Sequence, residues 1–226
     1  GWGENMAFLT TMANSYGARW FDENWVPQFD QPEWKAVMTD YVELLTKYGP
    51  PGASNNGYNE NLTLSLQGKC AMRMDATVSA GALTDPAQSE FADKVGFALA
   101  PDAGLGKRAN WLWAWSLAVP SSSDAKDAAK TFIAWATSKD YIQLLADKEG
   151  ITNVPPGTRQ STYSEAYLKA APFAQVTLEM MKHADPAHPS AKQVPYVGIQ
   201  YVTIPEFQAI GTSVGKMFSA ALTGGM

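Results

Sequence analysis

Three tryptophans, Trp111, Trp113 and Trp115, recur at every second position of segment 108–120, and this spacing constrains the fold more than any other feature. Side chains alternate between the two faces of a β-strand, so the spacing predicts a strand with all three indoles on one face. Large aromatic side chains commonly fill a core. Flat rings with a polar N–H also line clefts that bind partly hydroxylated ligands. The spacing alone leaves both interpretations open.

Around this segment, helical periodicity alternates with short strand-like runs. The clearest helix is predicted over 31–47, where apolar residues fall on one face and Asp30 with Glu33 resembles a capping box. Short strands and long helices in this order predict an α/β fold. Further helices are predicted at 5–16, 59–66, 163–170, 172–183 and from 205 onward, and after Ser123 and Ser138 as N-caps; strands are predicted at 70–74 and 95–101.

Composition excludes several classes of protein. The 226 residues are 46% hydrophobic, with 17 basic and 22 acidic side chains, a net charge of -5 and no run of Lys or Arg. A nucleic acid or an anionic membrane surface is therefore not an expected partner. No apolar stretch reaches the ~20 residues of a membrane-spanning helix.

Cys70 is the single cysteine, so no internal disulfide is expected. The sequence opens at Gly1, which suggests a fragment or a processed product.

Two features of the sequence resemble parts of catalytic or metal-binding sites. Residues 211–215 match GxSxG, but Ser213 falls inside the predicted last helix and no His follows it, which argues against a nucleophile elbow. His183 and His188 lack the further ligands of a zinc site, so no metal is expected. No phosphate-binding glycine loop is present, and no cofactor is expected. The sequence thus favours binding over catalysis.

The segment LSLQGKCAMRMDA resembles a signature of the extracellular solute-binding proteins of bacterial ABC importers, the family of maltose-binding protein. Its neighbours follow the same order: KVGFALAP, the tryptophan segment resolving into LAVP, a helical segment, the VPPGTR turn and a closing helix. The two ends, GWGENMAFLTTMANSYGARWFD and VPYVGIQYVTIPEFQAIGTSVGKMFSAALTG, look like the branch that binds sugar alcohols such as mannitol and sorbitol.

This resemblance implies a periplasmic-binding-protein-like fold of type II, with two lobes joined by a hinge and the ligand in the cleft between them. Residues 1–113 would form the first part of the C-terminal lobe, and residues 159–226 would return to it. Residues 114–158 would be an excursion that joins the N-terminal lobe, which would be largely absent from this chain.

The resemblance also implies where the ligand would be contacted. Trp2 would be a stacking platform, Glu4 and Asn5 would bind hydroxyl groups, and Asp75 would accept charge-assisted hydrogen bonds after the signature strand. Helix stabilisation is an equal alternative for Glu4. Trp115 would point into the core. The full set of candidates is Trp2, Gly3, Glu4, Asn5, Asp75, Trp111 and Trp113, with Arg73, Asn110, Arg159 and Tyr201 as weaker ones.

The resemblance implies that the protein binds a ligand and does not catalyse a reaction. The protein would bind a polyol such as mannitol or sorbitol, close over it by hinge motion and deliver it to a membrane permease. It would act as a monomer in the periplasm, or as an extracellular lipid-anchored protein in a Gram-positive source. The alternatives are a binding protein for a mono- or disaccharide, a carbohydrate-active enzyme with paired carboxylates, or a structural module.

Overall fold

The computed structural model describes residues 3–157 and 159–225, and helices form almost all of its regular structure. Apolar residues three and four positions apart give most of these helices one face to bury. The helices are α1 (Glu4–Tyr16), α2 (Pro32–Glu43), α3 (Tyr58–Leu66), α4 (Ala80–Thr84), α5 (Lys126–Ala136), α6 (Lys139–Glu149), α7 (Glu165–Ala170), α8 (Ala174–His183) and α9 (Phe207–Leu222). No helix within the described ranges is both long and apolar enough to cross a membrane.

The strands predicted at 70–74, 95–101 and 108–120 are wrong for this structure. A strand exists only where a second segment pairs with its N–H and C=O groups. Within residues 3–157 and 159–225, the single β-bridge joins Phe21 to Pro27, and the predicted strand segments have no ladder. Periodicity identified which faces these segments would have, but it contains no information about a pairing partner.

Two predicted helix caps are also wrong. Gln31 is the N-cap of α2 and no side chain caps it; Glu33 pairs with Lys192 instead, which lowers the pKa of the Glu33 carboxyl. Ser123 accepts a hydrogen bond from the N–H of Ala125 at 3.2 Å, ahead of α5. The Ser138 cap is confirmed, since its hydroxyl accepts from the N–H of Tyr141 at 3.1 Å.

Contacts divide the chain into two compact units. The first unit holds the chain up to Met74, Leu99–Leu112 and the chain from Glu179 onward; the second holds Asp75–Ala98 and Trp113–Leu178. The two units are defined by contacts within this chain. The assignment of residues 1–113, 114–158 and 159–226 to the lobes of the family stays a prediction.

The core of the first unit lies where α1, α2 and α9 pack together. Trp20 is fully buried at its centre, with its ring in edge-to-face contact with Trp34 at 5.0 Å and with Phe207 at 4.9 Å between centroids. Gly215 lets α9 approach α1, because a Cβ at this position would lie 3.0 Å from the amide oxygen of Asn5. This close approach fixes the start of α1, where several predicted ligand contacts lie.

The second unit has a smaller core around Tyr167 and Phe173, which are both 1% exposed. The hydroxyl of Tyr167 donates to the carbonyl of Val154 at 2.9 Å, and burial raises the pKa of this phenol well above its ordinary value. The neighbouring helices α5 and α6 have no fully buried residue, although Ile142 and Ala146 of α6 pack partly against this core. The unit therefore has a packed centre and an open helical surface.

Candidate functional site

Glu4 lies in the first turn of α1 and contacts the first turn of α3. Gly3 precedes it with φ 103°, a backbone conformation that suits glycine. The Oε2 atom of Glu4 accepts a hydrogen bond from the N–H of Tyr58 at 3.2 Å. Free N–H groups at a helix N-terminus favour a negative charge. A carboxylate has about four acceptor positions, so Glu4 keeps the capacity to accept hydrogen bonds from a hydroxylated ligand.

Arg73 contacts the same tyrosine from another side. Its guanidinium carbon lies 5.0 Å from the centroid of the Tyr58 ring, and Nη2 donates to the Tyr58 carbonyl at 3.5 Å. Tyr58 therefore connects an acidic and a basic candidate. Tyr58 is not among the residues predicted from the sequence, although Gly57 and Glu60 beside it have the spacing that marks a helix start.

Tyr201 completes this group. It is 36% exposed, and the pKa of its phenol is raised by burial and by the negative charge of Glu4. Its position depends on Gly198 (φ 108°), because a Cβ there would lie 2.2 Å from the carbonyl oxygen of Tyr201. We call Glu4, Tyr58, Arg73 and Tyr201 the Glu4 cluster. It combines a carboxylate, a guanidinium and phenols, the groups that bind hydroxyls.

Two amide candidates are occupied within the first unit. Asn5 is 9% exposed; its Nδ2 donates to the carbonyl of Gly215 at 2.9 Å and to the hydroxyl of Ser219 at 3.3 Å. Asn110 is 4% exposed and donates to the carbonyl of Met180 at 3.2 Å. Each amide donates at least one hydrogen bond within the protein, so the geometry gives both a packing role.

Asp75 begins the second unit, just before the 3₁₀ turn Thr77–Ser79. Its Oδ1 accepts a hydrogen bond from the N–H of Ala76 at 2.7 Å, which fixes the carboxylate against its own backbone. The residue is half-buried, whereas Val78, three residues further along, is 59% exposed.

The tryptophans differ strongly in exposure. Trp111 is half-buried in the first unit, whereas Trp113 is 46% exposed and Trp115 is 88% exposed in the second. The rings of Trp113 and Trp115 meet edge to face, with 5.7 Å between centroids. The prediction that Trp115 points into the core is wrong for this chain, because no neighbouring segment among the described residues covers its indole.

Arg159 lies at a cavity of about 450 Å³ within the second unit, lined also by Ile142, Pro155 and Thr162. Its Nη2 donates to the carbonyl of Thr137, the C-cap of α5, at 2.6 Å. A guanidinium at a helix C-terminus complements the helix dipole. Arg159 therefore has a structural role whether or not it contacts a ligand. Trp2, another predicted contact, lies outside the described residues.

The GxSxG match and the histidines have structural surroundings of their own. Ser213 lies inside α9, as predicted, and the two glycines of GxSxG are buried: Gly215 against α1, and Gly211 where a Cβ would lie 3.2 Å from the Phe207 ring. Nδ1 of His188 lies 3.2 Å from Oδ2 of Asp185. In the described ranges no three His, Cys, Asp or Glu side chains are grouped as metal ligands.

Comparison with known proteins agrees with the predicted family. A sequence model described as bacterial extracellular solute-binding protein matches residues 1–143. This match covers more than half of the chain. The chain belongs to this family of solute-binding proteins. The family's description as extracellular is consistent with a predicted location outside the cytoplasm.

Individual solute-binding proteins match the chain over its whole length. It is 64% identical over 226 residues to a mannitol-binding protein of Pseudomonas aeruginosa, covering 52% of that protein. It is 63% identical to an ABC transporter solute-binding protein of Agrobacterium vitis solved with bound D-mannitol, covering 100% of this chain and 54% of that one with a TM-score of 0.95. The chain thus spans about half the length of these relatives.

A third protein shows how far the solute-binding fold extends at low identity. An ABC transporter solute-binding protein of Agrobacterium radiobacter, solved in complex with ribitol, has 23% sequence identity to this chain and a TM-score of 0.79. The match includes 99% of this chain and 53% of that protein. At this identity the likeness concerns the fold alone. The α/β fold of the type II solute-binding proteins is therefore confirmed, although the regular structure of the described residues is mostly helical.

Proposed function

We propose that this chain is part of the substrate-binding component of an ABC importer that captures a hexitol such as mannitol and delivers it to a membrane permease. The observation that carries the proposal is the 63% identity, over 100% of this chain, to a solute-binding protein holding D-mannitol. The periplasm, or the outer surface of a Gram-positive cell through a lipid anchor, is the location that we propose. Binding and release without bond breaking is part of this proposal, and the family assignment supports it.

The Glu4 cluster supports a hydroxylated ligand. The carboxylate of Glu4 is held by the N–H of Tyr58 and retains acceptor positions for the ligand. Hydrogen bonds to an ionised carboxylate are roughly twice as strong as neutral ones. Arg73, which lies over the Tyr58 ring, and Tyr201, whose pKa is raised by the charge of Glu4, add further donors. Each hydroxyl of a neutral polyol can donate a hydrogen bond to the Glu4 carboxylate or accept one from the Arg73 guanidinium, so one ligand can bind both charged groups.

The other predicted contacts remain part of the proposal. Asp75 offers a second carboxylate, and the exposed indole of Trp113 offers an apolar face for C–H groups. Trp111 is a further candidate, and Asn5, Asn110 and Arg159 are weaker ones because their polar atoms bind the protein itself. Single substitutions of Asp75 and Trp113 test each contact separately.

Titration calorimetry of the full-length protein against mannitol, sorbitol, arabitol, glucose and maltose tests the proposal. We expect heat with the hexitols, and Glu4→Gln should weaken mannitol binding about tenfold by removing a charge-assisted hydrogen bond. Glu43→Gln is the matched control, because Glu43 is a surface acid of α2 that pairs with Lys47 and should leave affinity unchanged. Heat with maltose alone would overturn the assignment to polyols, and product formation would indicate an enzyme.

The relatives are about twice as long as this chain. We further propose that the part of the full-length protein outside the match forms a second lobe, and that residues 114–158 pack against it. The support is the surface of the second unit, where Trp115 and Phe132 are 88% and 58% exposed. A 226-residue chain lacking that lobe should bind mannitol far more weakly than the full-length protein. Equal affinities would contradict a ligand site shared with the other lobe.

A further inference from the structure

We propose that Gly57 is a positioning residue for the Glu4 carboxylate, because its missing side chain leaves the space in which Glu4 binds the start of α3. This inference rests on the proposed function through Glu4. A Cβ at Gly57 would lie 2.6 Å from Oε2 of Glu4 and 3.4 Å from its carboxyl carbon. A separation of 2.6 Å is too short for a carbon and an oxygen that are not bonded.

The backbone of Gly57 does not itself require glycine. Its φ of -106° and ψ of -163° lie in the extended region, which any L-residue adopts. Glycine is needed there for space, and an alanine tests that space without straining the chain. This distinguishes Gly57 from Gly3 and Gly198, whose φ values of 103° and 108° would confound the same substitution.

Two carboxylates share the start of α3 around this glycine. The N–H of Gly57 donates to Oε2 of Glu60 at 2.9 Å, while the N–H of Tyr58 donates to Oε2 of Glu4. Hydrogen bonds from the N–H groups of Glu60 and Gly57 lower the pKa of the Glu60 carboxyl. Glu60 thus occupies the N–H of Gly57, which leaves the N–H of Tyr58 as the anchor for Glu4.

A methyl group at Gly57 should displace Glu4 without unfolding the protein. The atoms it meets are Oε2 of Glu4 and, at 3.2 Å, Oε2 of Glu60, which are the far ends of flexible side chains on the surface, and the closer one, that of Glu4, must rotate away. The hydrogen bond from Tyr58 is then lost, and the negative charge moves relative to Tyr201. Because Glu4 raises the pKa of Tyr201, displacement of Glu4 should lower that pKa.

The test compares Gly57→Ala with Gly96→Ala in the full-length protein. Gly96 is exposed, and a Cβ there would have no atom within 4 Å, so this variant controls for the general effect of replacing glycine. We expect Gly57→Ala to weaken mannitol binding about tenfold in calorimetry, while thermal unfolding by circular dichroism stays close to that of the control.

A double-mutant cycle identifies the route of the effect. In a Glu4→Ala background, Gly57→Ala should cause no further loss of affinity, since there is no carboxylate left to displace. Unchanged affinity in Gly57→Ala, or an equal loss with and without Glu4, would overturn the proposal. If the unaltered protein binds no polyol, the proposed function fails; the pKa of Tyr201, measured by NMR in Gly57→Ala, then still decides whether Gly57 positions Glu4.

Discussion

The two units of the chain differ in the burial of their tryptophans. In the first unit, Trp20 is 0% exposed and contacts three other aromatic rings edge to face. In the second unit, Trp115 is 88% exposed and Phe132 on α5 is 58% exposed. Among the described residues, fully buried tryptophans occur in the first unit, while the core of the second unit is built around Tyr167 and Phe173.

The contrast shows that a periodic apolar pattern predicts a buried face without specifying what buries it. The apolar residues of α5 recur at helical spacing, yet the helix buries none of them within this chain. Exposed apolar surface of this kind is typical of an interface. Our proposal that residues 114–158 pack with another lobe accounts for the pattern.

Removing one indole from each unit should give the largest difference. In the 226-residue chain, Trp20→Ala should lower the free energy of unfolding by about 3–5 kcal/mol, because a cavity replaces a fully buried ring. Trp115→Ala should change it by less than about 0.5 kcal/mol, as expected of a surface position. Chemical denaturation followed by circular dichroism measures both. Similar losses in the two variants would contradict the contrast.

Chain length should change the effect of one α5 substitution. Phe132→Ala should be nearly neutral in the 226-residue chain, where the ring is 58% exposed. In the full-length protein we expect a loss of about 3 kcal/mol, if the second lobe covers this ring. Denaturation of both chain lengths, each with and without the substitution, makes the comparison. A neutral result in the full-length protein would refute the proposed packing of residues 114–158.

High pH should destabilise the protein through tyrosines in both units. Burial raises the pKa of Tyr196 in the first unit and of Tyr163 in the second to about 12, from an ordinary value of 10.0. The folded state then holds protons that the unfolded state releases, so stability is complete below pH 10 and falls as pH rises toward 12. For Tyr196, which is 3% exposed, the loss should reach about 2 kcal/mol.

Denaturation midpoints between pH 8 and pH 11.5 measure this loss. Tyr196→Phe removes one titrating group, so its stability should fall less steeply above pH 10 than that of the unaltered chain. It should also be less stable at neutral pH, since the Tyr196 oxygen accepts the buried N–H of Trp20 at 3.0 Å. An unchanged slope in this variant would show that other groups cause the alkaline transition.

Sequence alone predicted what local interactions determine. The helices α1 and α2 and the Ser138 cap follow from neighbours within a few positions. Features that depend on distant residues were missed: Glu33 pairs with Lys192 instead of capping α2, and Glu4 binds Tyr58, 54 positions away. The tryptophan strand failed for the same reason, because no pairing segment can be deduced from its own spacing.

The candidate site shows the same limit. Family resemblance pointed to Glu4, Arg73 and Tyr201 one by one, and their grouping around Tyr58 required coordinates. The packing roles of Asn5 and Asn110 also could not be predicted, since their partners lie on α9 and α8. An amide can bind ligand or backbone with equal ease, and only its surroundings decide between them.

The smallest expected effect concerns a single hydroxyl in the second unit. Tyr167→Phe removes the hydrogen bond to the carbonyl of Val154 and leaves the ring in place, so the free energy of unfolding should fall by about 1 kcal/mol. The matched Tyr196→Phe in the first unit should cost more at neutral pH, because a buried N–H left without an acceptor is penalised more heavily than a carbonyl with a second lone pair. Denaturation of the two variants side by side ranks them. If Tyr167→Phe were the more damaging, the core of the second unit would depend on polar contacts more than that of the first, and its open helical surface would not be its main structural difference.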